Sequence, residues 1–231
     1  MEFVEFKNLS KSYGTKEVLK NVNLKIEPGK IYGLLGPNGS GKTTMIKIIN
    51  GLLQPTSGEI LVQGHRPGIE SKKVISFLPE RTYLNMNMKV SELIQFFKDF
   101  YEDFDEKKAR KLLERLKIKE QDKLKNMSKG TKEKVQLVMV MSRKADLYIL
   151  DEPIGGVDPA SRDYILETIL TNFNEGSSIL ISTHLIADIE KILDQVIFIN
   201  QGKVVLNEDA DTIRKKKKTT IDKLFREEFK C

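Results

Sequence analysis

At 231 residues with 39% hydrophobic content, the chain is long enough for one large domain, or for a core with an inserted subdomain. No stretch approaches the roughly 20 continuous apolar residues that span a bilayer, and the opening MEFVEFKNLS has acids where a secretory signal is basic and then apolar. A soluble chain, neither exported nor membrane-spanning, is therefore expected, and the single cysteine, Cys231, suits a reducing cytosol.

The net charge of +6 is uneven, with RKKKK from Arg214 to Lys218 supplying much of the excess. Such a run can attract nucleic acid or an anionic membrane surface, but a solvated face is the expectation. There is no basic stripe interleaved with aromatics and no Cys/His cluster for zinc, so no nucleic-acid partner is expected.

From the N-terminus, FVEF and VNLKI alternate apolar with polar residues and predict strands, and Pro28-Gly29 marks a turn. KIYGLLG predicts a buried strand. TTMIKIIN predicts a helix with Met45, Ile46, Ile48 and Ile49 mostly on one face, stopped by Gly51. EILVQG and VISFLP predict further strands. From about Arg81 to Ala145 the pattern becomes helical, with clear periodicity in EKKARKLLERLKIKE, and this segment is expected to be an inserted helical subdomain. Strands return in LYIL, SSILIST and QVIFI, separated by the helical patterns ASRDYILETILTNF and LIADIEKIL. That alternation implies an α/β fold with a mostly parallel sheet and crossover helices. NQG predicts a hairpin, and TIDKLFREEF an amphipathic helix.

Between the KIYGLLG strand and its helix lies GPNGSGKT, which fits G-x-x-x-x-G-K-[ST] in the context that motif requires. Successive N–H groups from Asn38 to Lys42 can curl around phosphate oxygens, with the helix dipole behind them and glycines permitting close approach. Gly36, Pro37, Asn38, Gly39, Ser40 and Gly41, followed by Lys42, Thr43 and Thr44, are the expected phosphate-site residues. Lys42 would reach the β- and γ-phosphates, and Thr43 would offer its hydroxyl to Mg²⁺. LYILDEP then places Asp151 and Glu152 at the carboxyl end of a buried strand, the first to hold the metal and the second to act as general base on water. In NMSKGTKEKVQ, Ser128 is a good helix N-cap and Gly130 adds backbone freedom.

Five further stretches, KSYG with Tyr13, FLPE with Glu80, MSKGT, GGVD with Asp158 and STH with His184, narrow the reading. In this order and spacing the chain resembles, along essentially its whole length, the nucleotide-binding subunit of an ATP-binding cassette (ABC) transporter. The resemblance implies a P-loop NTPase (RecA-like) core with a mostly parallel sheet, an N-terminal antiparallel β subdomain and the helical insertion. The expected divisions are 1–80 for the β subdomain and phosphate-loop part of the core, 81–145 for the helical subdomain, and 146–231 for the rest of the core and the C-terminal helix. It also implies ATP and Mg²⁺ as ligands, ATP hydrolysis coupled to transport, and a second ATPase subunit, either another copy or a different cassette. A separate transmembrane permease subunit would hold the protein on the inner face of the cell membrane.

Within the resemblance, Tyr13, in an N-terminal loop, stacks on adenine; the alternative is a tyrosine anchoring a strand end. His184 contacts the γ-phosphate and holds the attacking water. Asp158 couples the two sites of a dimer and can also cap PASRDYILETIL. MSKGT stands where the family has LSGGQ, so Ser128 and Gly130 would face the γ-phosphate bound by the partner cassette. Lys129 replaces a glycine, Thr131 a glutamine, and Glu80 the usual Q-loop glutamine. Glu80 still offers an oxygen to Mg²⁺ or its water but has no N–H₂ donor. FFKDFYEDF puts Phe96, Phe97, Phe100, Tyr101 and Phe104 on one helical face, mostly core, the remainder forming with YLNMNM a groove for a helix of the membrane partner. The alternative is a non-transport ABC ATPase. Translation ATPases carry two cassettes on one chain, DNA-repair ATPases need a long coiled coil that the interval Gly51 to Ser128 is too short to hold, and a non-catalytic ATP sensor would have a degraded Glu152 or His184.

Overall fold

The computed structural model describes residues 2–216 and 218–229; Lys217 of the lysine run and Cys231 lie outside them. In chain order the strands are β1 (Val4–Tyr13), β2 (Lys16–Ile26), β3 (Ile31–Leu35), β4 (Ser57–Val62), β5 (Ile75–Leu78), β6 (Leu147–Asp151), β7 (Ser178–Thr183), β8 (Gln195–Asn200) and β9 (Lys203–Asp209). The helices are α1 (Lys42–Ile49), α2 (Ile69–Val74), α3 (Val90–Phe100), α4 (Glu106–Arg115), α5 (Lys129–Met141), α6 (Pro159–Asn172), α7 (Ile186–Ile189), α8 (Ala210–Lys216) and α9 (Ile221–Phe229).

The alternation in the N-terminal strands builds a three-stranded antiparallel sheet in the order β2-β1-β4, with Phe6, Leu9, Leu24, Ile26 and Ile60 turned into one core. Tyr13 is not in a loop: it ends β1, paired with Lys16 across the hairpin at Gly14, because Ser12 and Tyr13 keep extended pairing until the left-handed turn at Gly14 (φ 57°).

The apolar runs of β3, β6, β7 and β8 fill the middle of a six-stranded sheet in the order β5-β6-β7-β3-β8-β9, parallel except for the β8–β9 hairpin. Both faces are covered. The antiparallel sheet and α1 pack on one face through Met45, Ile46 and Ile49, while α5, α6 and α9 pack on the other through Val140, Ile165 and Phe225. Register decides where the chemistry sits: Leu35 pairs with Thr183, and Asp151 with Ser182. The residues that follow β3, β6 and β7 therefore emerge side by side at the carboxyl edge of the sheet.

Helices α3, α4 and α5 lie between β5 and β6 in the chain and close around their own core of Leu93, Phe97, Leu112, Val135 and Val138. Helix α5 belongs to both interiors, since Leu137, Val140 and Met141 face the central sheet. The aromatic run does not form one continuous helical face. Helix α3 stops at Phe100, Tyr101 is extended (φ −126°), and Phe104 lies in the turn beyond. The turn is held by Asp105, which caps α4 through the Lys108 N–H (2.9 Å), and by Asp103, which pairs with Arg143. Phe97 and Phe104 are buried, whereas Phe96 and Phe100 are exposed.

VISFLP is shorter as a strand than expected, since Val74 still belongs to α2 and Pro79, which has no N–H for a ladder, lies past β5. LIADIEKIL forms the one-turn α7 and then a 3₁₀ turn, Glu190–Ile192. In the basic run, Arg214 and Lys215 both pair with Asp211 one helical turn earlier. No helix among the described residues is long and apolar enough to cross a membrane.

Candidate nucleotide site

The loop from Gly36 to Gly41 needs its glycines. A Cβ at Gly36 would meet the Ile199 carbonyl oxygen at 2.3 Å, and Gly41 adopts φ 117° against Leu19. Helix α1 starts at Lys42 with no side chain capping its first turn, so its leading N–H groups are left for an anion. The Lys42 ammonium is buried and donates to the carbonyls of Gly36 (2.7 Å) and Pro37 (3.3 Å), which folds it back over the loop. Burial lowers its pKa, and the carboxylates of Glu152, Asp151 and Glu80 act in the opposite sense.

Asp151 ends β6, is 2% exposed, and accepts the Ser182 hydroxyl at 2.8 Å. Burial raises its pKa, and hydrogen bonds from Ser182 and Thr43 counter the rise. Glu152 turns the chain sharply with φ 52°, a conformation that costs a non-glycine residue about 1 kcal/mol or more. Its N–H donates to Ser182 and its carbonyl accepts from Gly155, so the turn is held from both sides (2.8 and 3.0 Å). The carboxylate oxygen Oε2 accepts from Thr183 Oγ1 at 3.1 Å and contacts His184 Nδ1 at 3.0 Å. A carboxylate partner selects the Nδ1–H tautomer of the neutral ring, which leaves Nε2 able to accept.

These groups border a cavity of about 1000 Å³. Of the residues singled out in the sequence, Tyr13, Asn38, Gly39, Gly41, Lys42, Thr43, Thr44, Glu80, Asp151, Glu152 and His184 line it. Gly36, Pro37 and Ser40 are not in the lining, and Gly36 and Ser40 are buried. Tyr13 is half exposed, with Lys11 Nζ 5.4 Å from its ring centroid. Ser128, Gly130 and Asp158 are not in the lining. Ser128 caps α5 by accepting the Thr131 N–H (3.1 Å), open space surrounds Gly130, and Asp158 caps α6 through the Ser161 N–H (3.0 Å). Bonding to Ser161 holds the Asp158 carboxyl below the usual carboxylate range.

Sequence reasoning missed Lys16, Lys132 and Gln136, which also line the cavity. The last two could have been found from the i, i+3, i+4, i+7 stripe of Lys129, Lys132, Glu133 and Gln136 along α5. A second cavity of about 1110 Å³, bordered by Leu52, Ile69, Tyr83, Phe100 and Arg143, shares Thr43, Glu80 and Asp151 with the first. Glu80 thus faces both.

The donor set fits magnesium. No group of three or more His, Cys, Asp or Glu side chains among the described residues is placed to hold a metal ion by itself, which argues against a dedicated protein cage. A hydroxyl and a buried carboxylate, Thr43 and Asp151, lining the same cavity beside a phosphate loop suit an ion that keeps its waters and takes phosphate oxygens.

Comparison with known proteins agrees with this chemistry. Residues 19–155 match the family model described as ABC transporter. The lantibiotic transport ATP-binding protein SrtF of Streptococcus pyogenes is 33% identical over 210 residues, covering 90% of this chain and 91% of that protein. The SkfA peptide export ATP-binding protein SkfE of Bacillus subtilis is 35% identical over 211 residues, covering 89% and 88%. A solved ATP-binding subunit of an ABC transporter superposes with a TM-score of 0.88 at 30% identity, covering 97% of this chain and 98% of that one. The chain belongs to the ABC transporter family, as one of its ATP-hydrolysing, ATP-binding subunits.

Proposed function

We propose that the cavity binds Mg-ATP and that Glu152 draws a proton from water as it attacks the γ-phosphorus in line, while the bond from that phosphorus to the β–γ bridging oxygen breaks and ADP leaves with phosphate as the other product. The observation that carries this reading is the Glu152 carboxylate, held by Thr183 and His184 beside the loop that contains Lys42. Tyr13 stacks on adenine from the strand end, the uncapped N-terminus of α1 and Lys42 hold the β- and γ-phosphates, and His184 steadies the water. Thr43, Asp151 and Glu80 would hold Mg²⁺, which supplies charge neutralisation at the phosphates.

Two such subunits, identical or not, meet head to tail, so that Ser128 and Gly130 at the start of α5 face the γ-phosphate bound by the partner. Asp158 lies at the same interface. ATP bridges both halves and stabilises the closed state, and hydrolysis withdraws that support. Residues 81–145 act as the helical subdomain between the core divisions 1–80 and 146–231. The second cavity, with exposed Tyr83 and Phe100 at its rim, receives a short helix of the transmembrane permease, which keeps the protein in the cytoplasm on the inner face of the membrane. The names of the relatives favour an export system.

Glu152→Gln should bind Mg-ATP, lose hydrolysis and accumulate a two-cassette particle on size exclusion, either alone or when mixed with its partner cassette. An unshifted profile with no bound nucleotide would overturn the reading.

A further inference from the structure

The stripe of Lys129, Lys132, Glu133 and Gln136 makes one face of α5 a wall of the nucleotide cavity. The first three keep part of their surface in solvent, as charged side chains should. Gln136 does not: it is 2% exposed, and its amide oxygen is buried with no hydrogen-bond partner among the described residues. Leaving such an acceptor unmade is destabilising, because the group gives up its bonds to water and gains none in return. Val135, Leu137 and Val138 beside it are buried and apolar, so packing alone would favour an apolar side chain here too. One turn further on, the Val140 carbonyl accepts the Ser76 hydroxyl of β5 at 2.9 Å, which ties α5 to the strand that leads into Pro79 and Glu80. Glu80, Asp151 and Glu152 bring acceptors to the cavity, whereas Gln136 brings a neutral group that both donates and accepts.

We propose, resting on the nucleotide-site reading above, that Gln136 is a positioning residue: its amide oxygen accepts a hydrogen bond from a water ordered by the bound Mg-nucleotide. The orphaned oxygen is then satisfied only in the occupied cavity. Because Gln136 shares α5 with Ser128 and Gly130, that bond also sets the orientation of the helix start offered to the partner subunit.

The test replaces the amide by an apolar side chain of similar length, Gln136→Met, with Gln136→Leu as a second variant. Thermal unfolding of the full chain is followed without ligand and with Mg²⁺ plus adenylyl imidodiphosphate, a non-hydrolysable ATP analogue. Without ligand, the variants should melt at or above the wild-type temperature, since the unmade acceptor is gone. With the analogue, their upward shift should fall below half that of wild type and the apparent Kd should rise about fivefold, the equivalent of one neutral hydrogen bond. Unchanged nucleotide shifts in the variants would overturn the role of Gln136, as would loss of the fold in both. No shift in the wild type would instead overturn the nucleotide site itself.

Discussion

Arg143 is the buried ion that joins the helical segment to the core, and its removal gives a stability change that can be worked from the structure. Its side chain is 4% exposed. Nε bonds both oxygens of Asp103 at 3.0 and 3.2 Å, Nη1 donates to Ile75 O at 2.6 Å, Nη2 donates to Lys72 O at 3.2 Å and Lys73 O at 2.8 Å, and the guanidinium lies 3.9 Å from the Tyr101 ring centroid. Truncation to alanine leaves Asp103 without its cation and three carbonyls without this donor. Breaking a buried pair from one side costs about 3–5 kcal/mol. Asp103 is 23% exposed and recovers some solvation, which puts the expected loss for Arg143→Ala near the lower end, about 3 kcal/mol. Arg143→Lys keeps the charge but loses the planar fork and the stack, with an expected loss of about 1–2 kcal/mol. Asp103→Asn should be milder than Arg143→Ala, because the guanidinium keeps its three carbonyls. Urea unfolding followed by circular dichroism measures all three, tryptophan being absent from the chain. A loss below about 1 kcal/mol for Arg143→Ala would refute the assignment of Arg143 as the clamp between the two packed regions.

Lys42→Ala should abolish ATP hydrolysis and strongly weaken ATP binding, because the cation folded over the loop is gone; turnover above roughly a tenth of wild type counts against it. Glu80→Gln keeps an oxygen but loses charge, so the magnesium concentration for half-maximal ATPase activity should rise while maximal turnover changes less. Glu80→Ala should impair both, and superimposable magnesium titrations for the three proteins would remove Glu80 from the site. Tyr148 donates to the Arg143 carbonyl at 2.6 Å, and burial raises its pKa from 10.0 to about 12. The folded state therefore holds this proton more tightly than the unfolded chain. Its contribution is complete below pH 10 and is lost as pH rises toward 12, so Tyr148→Phe should show a shallower alkaline fall in stability than wild type. Equal slopes in urea midpoints between pH 9 and 11.5 would contradict it.

The local signals read from the sequence alone are those whose physics is local. Glycines before Lys42 demand a loop that side chains cannot follow, Ser128 and Asp158 cap the helices they precede, and continuous apolar runs such as LYIL bury on both faces of a parallel sheet. These were sufficient to place the phosphate loop between strand and helix and the acid pair at a strand end. Tertiary structure decided what depends on register and on competing partners. The pairing of Leu35 with Thr183 and of Asp151 with Ser182 brings His184 within 3.0 Å of Glu152, although 32 residues separate them. Helix α3 ended early because Asp103 and Asp105 found partners outside it, one in Arg143 and the other in the start of α4, and a hydrophobic period cannot reveal a distant partner. In sequence Gln136 is the last member of the polar stripe begun by Lys129, Lys132 and Glu133, at the point where α5 turns apolar, and the stripe alone does not say which surface it meets. Only the packing of α5 against the central sheet turns it toward the cavity, and an unmade hydrogen bond exists only once every neighbour is in place.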